Sequence, residues 1–367
     1  MGKSWASFEI LGGVLLLVVG VLIAGGVAKP KANASDDAAL DEKIISYIRI
    51  RYGIPDTVKL TATPFQSSNF PGFLASTITT NDGKQPKKTD LFLTDDRHYL
   101  IVGFLFACSA GPQREIVQCI REQFKIPESI SLTAGPFHDS GFPNFLATTV
   151  TAENGKQKET RDFYITKDNR TLVSGSIFNL RLDLREALRT IVTTNQPTQG
   201  PAHAPVTIVE YADLQCPSCA RLHEFLEKEL LPKYGDKVRV IFKEFPLPMH
   251  DWSQTAAIAN ECVYQIKPEA YAPYRSLIFQ NQSGTNAANV RDALLGYADQ
   301  VGVGRVRLAG CLDSKASLPR VDEGTREAKR LEIGSTPTCF INGRMLVGFP
   351  KAEAYYKAVD AALEEAK

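Results

Sequence analysis

Apolar positions recur along the chain with different periods, and each period predicts a different kind of element. Ile10 to Val27 reads ILGGVLLLVVGVLIAGGV, a stretch without a charge that is long enough for a bilayer-spanning helix. Further on, Leu40, Ile44, Ile48 and Tyr52 fall four apart and would line one face of a helix; Ile116, Ile120 and Phe124 do the same. After Ile54-Pro55 and again after Ile126-Pro127 the pattern changes to short β-rich runs. In the first stretch these are Leu74–Thr80, Asp90–Thr94 and Tyr99–Phe104. Asp95-Asp96-Arg97 and Lys167-Asp168-Asn169 read as hairpin turns.

The two stretches are copies of one unit. At a constant offset of 72, Pro64-Phe65 returns as Pro136-Phe137, Phe70-Pro71 as Phe142-Pro143, Phe73-Leu74-Ala75 as Phe145-Leu146-Ala147, and Gly83-Lys84-Gln85 as Gly155-Lys156-Gln157. Each copy is expected to be a small α+β unit with about four antiparallel strands. His98 and His138 have no counterparts in the other copy and read as surface or turn histidines. The resulting map has a signal anchor or signal peptide over 1–34, one repeat over 40–110 and a second over 112–192. That second repeat closes with a helix on Leu184, Leu188, Ile191 and Val192. Residues 193–205, TTNQPTQGPAHAP, read as a linker, and 206–367 as a third domain with alternating strand and helix signals.

Composition narrows the function. The 367 residues carry 42 Lys+Arg against 41 Asp+Glu, a net charge of +1, with 44% apolar residues. Such a balance excludes a wholly disordered chain and gives no support to nucleic-acid binding through bulk charge. With a single long apolar run the chain is not polytopic. Ala32-Asn33-Ala34 is a small-residue cleavage site some distance beyond that run, so an uncleaved anchor and a cleaved signal both stand. Either places the soluble part outside the cytoplasm, on the periplasmic side, where disulfides persist.

Chemistry concentrates at Cys216-Pro217-Ser218-Cys219. Val206–Tyr211 reads as a buried strand, and the helix after the pair is amphipathic through Leu222, Phe225, Leu226 and Leu230. The first cysteine therefore sits at a helix N-terminus. There the free N–H groups and the helix dipole stabilise a thiolate and lower its pKa from about 8.5 to about 3.5–7.5. Pro217 suits the first helical turn. Cys219, one turn on, would be the buried resolving thiol. A zinc site on Cys216, Cys219 and His223 lacks a second ligand pair, so no metal is expected, and nothing calls for a cofactor.

The segments IVEYADLQCPSC at 208–219, KVRVIFKEFPL at 237–247 and STPTCFINGR at 335–344 resemble the DsbA-type branch of the thioredoxin superfamily, over about Pro201 to Lys367. The resemblance implies a thioredoxin-like α/β fold with a helical insertion, here Trp252 to Lys329, preceded by the two repeats and the N-terminal transmembrane helix. It implies that Thr336-Pro337 is a cis-proline loop presenting backbone groups to an extended substrate, beside Pro217 and Ser218. It also implies that Glu210 is a buried carboxylate tuning the sulfurs; a surface strand glutamate is the alternative. Ser218 departs from the histidine of the most oxidising members, so a potential between about −120 and −270 mV is expected. The implied activity is thiol–disulfide exchange on reduced or misfolded secreted proteins, with a membrane quinone-linked oxidase as the reoxidising partner. Some members carry a structural disulfide at positions similar to Cys262 and Cys311, worth roughly 3–4 kcal/mol for such a loop. DFYITKDNRTLVSG at 162–175 resembles the N-terminal domain of DsbC-type isomerases, which dimerise through it. An isomerase or reductase is accordingly the alternative function, and the two copies here could pair with each other instead. Cys108 and Cys119 flank the junction of the repeats with their pairing open, and Cys339 is left on a core strand.

Overall fold

The computed structural model describes residues 34–83, 86–108, 113–155 and 158–367. The apolar run 10–27 and the cleavage site at Ala32-Asn33-Ala34 begin outside those residues. Among the described residues no helix is long and apolar enough to cross a membrane. The chain forms two compact units: one comprises residues up to 46 together with 57–182, the other residues 47–56 together with 183–367.

In the first unit α1 (Ala34–Arg51) is followed by β1 (Lys59–Ala62), β2 (Gln66–Ser67), β3 (Phe73–Asn81), β4 (Lys87–Thr94) and β5 (Tyr99–Ala107). Then come α2 (Gln113–Phe124), β6 (Ser131–Ala134), β7 (His138–Asp139), β8 (Phe145–Glu153), β9 (Lys158–Thr166) and β10 (Thr171–Asn179). Instead of two four-stranded sheets there is one ten-stranded sheet, in the order β1-β3-β4-β5-β10-β9-β8-β6, with β2 on β3 and β7 on β8. The reason lies in β5 and β10. YLIVGFLFA carries no charge and is buried over most of its length, so as an edge it would expose a long apolar ladder. It pairs antiparallel with β10 from Tyr99↔Asn179 to Ala107↔Thr171. Gly103 faces Gly175 at the centre of this pairing, so the halves are related by a local two-fold. A Cβ on Gly103 would lie 2.3 Å from the Ser174 carbonyl oxygen, and one on Gly175 2.4 Å from that of Val102; both have positive φ, which only glycine adopts freely. One face is closed by α2, whose Ile116 and Ile120 pack with Phe106, Phe163, Ile165 and Leu172. Cys108 and Cys119 form a disulfide. His98 is a turn residue against Asp96 and Arg181, and His138 is exposed on β7.

The second unit contains α3 (Leu184–Arg189), β11 (Thr198–Gln199), β12 (Val206–Ala212), α4 (Pro217–Phe225), α5 (Leu231–Tyr234) and β13 (Val238–Glu244). The helices α6 (Ser253–Ile266), α7 (Tyr271–Gln280), α8 (Val290–Gln300), α9 (Arg305–Ser314) and α10 (Leu318–Arg330) follow, and then β14 (Thr338–Ile341), β15 (Arg344–Val347) and α11 (Ala352–Glu365). The five-stranded sheet runs β11-β13-β12-β14-β15, with β12 and β13 parallel and the other pairs antiparallel. Two boundaries differ from the sequence map. The helix expected to close the second repeat belongs to this unit and stops at Arg189. The expected linker contributes β11, because Thr198 and Gln199 satisfy the free edge of β13. α4 and α11 pack on the sheet through Leu222, Phe225, Leu226, Tyr355 and Val359. The inserted helices build their own core around Ala256, Ala259, Val263, Tyr274, Leu294 and Leu308, and the Cys262–Cys311 disulfide joins α6 to α9.

Candidate active site

β12 ends at Ala212 and the chain turns through Asp213 to Gln215 before α4 begins. Several side chains fix that turn. The buried Asp213 carboxylate accepts from the N–H groups of Gln215 and Leu247, both at 2.7 Å, and lies 2.8 Å from His250 Nδ1. Gln215 donates to Asp251 and accepts from the Trp252 N–H, each at 2.9 Å. Gln282, beyond α7, donates to the carbonyls of Leu214 (2.7 Å) and Cys216 (3.2 Å). The insertion therefore grips the loop that carries the cysteines.

Cys216 is the N-cap of α4, with extended backbone and Pro217 at the first helical position. It is 8% exposed, whereas Cys219 is fully buried. Cys216 Sγ lies 3.4 Å from the Thr336 carbonyl oxygen. The thiol of Cys216 is pulled down to about 5, chiefly by hydrogen bonding from the Cys219 thiol and against the cost of burial; the Thr336 hydroxyl and the N–H groups of Cys219 and Ser218 add to it. Among the described residues that hydroxyl is buried with no hydrogen bond of ordinary geometry. Cys219 moves the other way: burial, then the adjacent Cys216 sulfur, push it well above the ordinary range. The Asp213 N–H, 3.5 Å from Cys219 Sγ, partly offsets this.

The Thr336-Pro337 peptide bond is cis and the loop faces Cys216. Glu210 is fully buried on β12, which removes the surface alternative. Its Oε2 pairs with Arg275 Nη1 at 3.1 Å, and the guanidinium lies over the rings of Phe242 (4.4 Å) and Phe279 (5.1 Å). The charge of Glu210 helps raise both Cys219 and the buried Cys339 thiol. Cys339 faces Glu210 in the β12–β14 register and lies 3.6 Å from the Tyr355 hydroxyl. His223 Nε2 lies 2.9 Å from Ser276 Oγ, and burial lowers its pKa to about 3. Nearby, Glu244 has neutral donors, Asn260 (2.7 Å) and Tyr271 (3.3 Å), and burial pushes it up to about 8.

Sequence reasoning missed Arg275, Gln282 and the Asp213–His250 pair. Only Arg275 left a signal. It sits on α7 within the buried face of Tyr271, Tyr274, Ile278 and Phe279, and a buried arginine requires a carboxylate.

A strand, a CxxC at a helix N-cap, a facing cis-proline and a five-stranded mixed sheet with a helical insertion make this unit a thioredoxin-like α/β fold. Residues 192–361 match the family model described as Thioredoxin, and this part of the chain is similar to that family. Among curated proteins, an Na(+)/H(+) antiporter NhaA 1 of Salinispora arenicola is 32% identical over 165 residues, 45% of this chain and 24% of the antiporter. Disulfide bond formation protein D of Bacillus subtilis is 26% identical over 172 residues, 46% of this chain and 78% of that protein. The chain thus spans about a quarter of the antiporters it matches and most of the disulfide bond formation protein. Among solved structures, oxidised BdbD of Bacillus subtilis (23% identity, 47% of this chain and 95% of that one) has a TM-score of 0.42. The thiol-disulfide exchange protein alpha-DsbA2 of Wolbachia pipientis (18% identity, 48% and 90%) also scores 0.42.

Proposed function

We propose that this chain is an extracytoplasmic protein thiol–disulfide oxidoreductase acting through Cys216 and Cys219. The observation that carries the reading is the asymmetry of the two sulfurs: one near the surface and acidic, the other buried and held as a thiol. In the oxidised protein a substrate thiolate attacks Cys216 Sγ, the Cys216–Cys219 bond breaks, and Cys219 leaves and takes up a proton. A second substrate thiolate then attacks the substrate sulfur of the mixed disulfide. The Cys216 thiolate departs, the substrate is oxidised and the protein reduced. A stable thiolate is a good leaving group, so this direction is favoured. Thr336 and Pro337, with Pro217 and Ser218, would border the substrate chain, and Glu210 would tune the sulfurs.

The substrates would be reduced or misfolded secreted proteins, and a quinone-linked membrane oxidase would restore the disulfide. Cys108–Cys119 and Cys262–Cys311 support an oxidising compartment. Residues 10–27 would anchor the chain in the membrane. We read the halves of the first unit as a duplicated module that pairs with itself through β5 and β10, which favours substrate holding over dimerisation if the enzyme works as an isomerase.

Trapping tests the reading. Cys219→Ala should accumulate mixed disulfides on Cys216 with extracytoplasmic proteins, and Cys216→Ser should accumulate none. Equal capture by both variants would overturn it. Equilibration with glutathione separates the oxidase, expected toward about −120 mV, from a reductase near about −270 mV.

A further inference from the structure

Residues 47–56 lie far upstream of the thioredoxin domain in sequence but belong to its compact unit. Arg51, at the end of α1, is buried there. Its Nη2 donates to Glu332 Oε2 (2.9 Å) and to the Tyr47 hydroxyl (3.1 Å), and its Nη1 to the Glu332 carbonyl (3.3 Å). Nη1 also lies 3.5 Å from Met345 Sδ. Tyr47 completes the ring by donating to the same Glu332 oxygen at 3.0 Å. Beyond the helix, Asp56 meets Arg344 at 3.4 Å, and its N–H donates to Glu365 at 3.3 Å.

Glu332 is an unusual residue for its place. It follows α10 with φ of +52°, and the next N–H, of Ile333, bonds back to the Ala328 carbonyl at 2.9 Å. This is the left-handed stop that glycine makes without penalty. A glutamate there is explained by its side chain, which Arg51 and Tyr47 hold together with its carbonyl. Four residues later stands Thr336, whose carbonyl oxygen lies 3.4 Å from Cys216 Sγ. The far end of this loop is fixed where Thr338 pairs with Tyr211 and Val347. The near end is fixed at Glu332. Met345, the other group that Arg51 touches, pairs with Phe340 on the strand that leaves the loop.

Resting on the oxidoreductase reading, we infer that Arg51 is a positioning residue for the substrate-binding loop: through Glu332 it sets the place of Thr336 and Pro337 against Cys216. The N-terminal helix thereby contributes to disulfide exchange without touching substrate. An arginine is required because one guanidinium must serve a carboxylate, a carbonyl and a hydroxyl at once; a lysine offers no such fork.

The experiment uses full-length Arg51→Ala, Arg51→Lys, Glu332→Gly and Glu332→Gln. Three quantities are read: the thermal midpoint, the rate of oxidation of a reduced cysteine peptide, and the pH midpoint of Cys216 alkylation. Arg51→Ala should slow peptide oxidation roughly tenfold, as a displaced positioning group does, and move the alkylation midpoint upward; Arg51→Lys should fall between it and wild type. Glu332→Gly relieves the backbone, so a residue serving only as a helix stop would lose nothing on this change. We expect it to match Arg51→Ala. Should Arg51→Ala not fold, Glu332→Gln keeps the shape and gives the same comparison. Folded variants with wild-type rate and midpoint would overturn the inference. A wild type no faster than Cys216→Ser would instead sink the oxidoreductase reading, and the alkylation midpoint would still decide the role of Arg51.

Discussion

Ionisation of Cys216 should control both the redox potential of the pair and the stability of the reduced protein. The perturbation is pH. The structure holds this thiol at about 5, well below the ~8.5 of an ordinary cysteine. At pH 7 an ordinary thiol is almost wholly protonated, so the preference expressed there spans the interval from 5 to 7, ~2.7 kcal/mol. Only the reduced form has the group, so the disulfide should be ~60 mV more oxidising than one with an ordinary thiol in that place. The sign follows from the folded pKa lying below the unfolded one. The thiolate stabilises the reduced fold fully above pH ~9, less as pH falls, and not at all below about 5. Between about 5 and the much higher range of Cys219, reduction takes up one proton per two electrons, and the potential should fall ~30 mV per pH unit; below about 5 it should fall ~59 mV. The assay combines the ultraviolet absorbance of the thiolate with glutathione equilibria at a series of pH values. An absorbance midpoint near ~8.5, the value of free cysteine, or a potential line without a break would refute the reasoning.

Three further outcomes follow from packing. Arg275→Met leaves the fully buried Glu210 without its cation and should lose ~3–5 kcal/mol in urea unfolding, while adding Glu210→Leu should recover most of it. Replacing Cys262 and Cys311 together by alanine opens a loop with a sequence separation of 49 and should lower the unfolding free energy by roughly 3–4 kcal/mol, with the sheet intact by circular dichroism. Gly103→Val places a Cβ 2.3 Å from the Ser174 carbonyl and should destabilise the first unit by more than about 1 kcal/mol, read as an earlier calorimetric transition that leaves Cys216 titration unchanged.

The placement of Cys216 and Cys219 could be read from sequence because it is set locally. Strand, turn, cysteine, proline and amphipathic helix are consecutive, so the placement of Cys216 at an N-cap needs no knowledge of the rest of the chain. The burial of Glu210 was a harder matter. Its strand is apolar on both sides, but the fate of one carboxylate on it depends on what the inserted helices bring, and they bring Arg275. Arg275 itself interrupts an apolar helical face, which marks it as paired without naming the partner. The one-sheet arrangement of the first unit was legible in part: two copies and an uncharged strand in each imply that those strands are not edges. Their mutual pairing requires the glycines to meet, which a repeat offset alone does not state.

Arg51 shows where such reading stops. By periodicity α1 is one helix serving one repeat, and Ile44 and Ile48 fit that description. Nothing local distinguishes Tyr47 and Arg51, which sit among further charged residues at the end of a helix where basic side chains are ordinary. What singles them out is Glu332, a residue in a backbone conformation that its own side chain does not favour. A left-handed glutamate is visible only in three dimensions, and its partner lies hundreds of positions away. Sequence pattern reports preferences that each segment satisfies by itself. The groups that hold the loop opposite Cys216 satisfy one another instead, so they emerge from burial and geometry, at a strained residue whose side chain has distant partners.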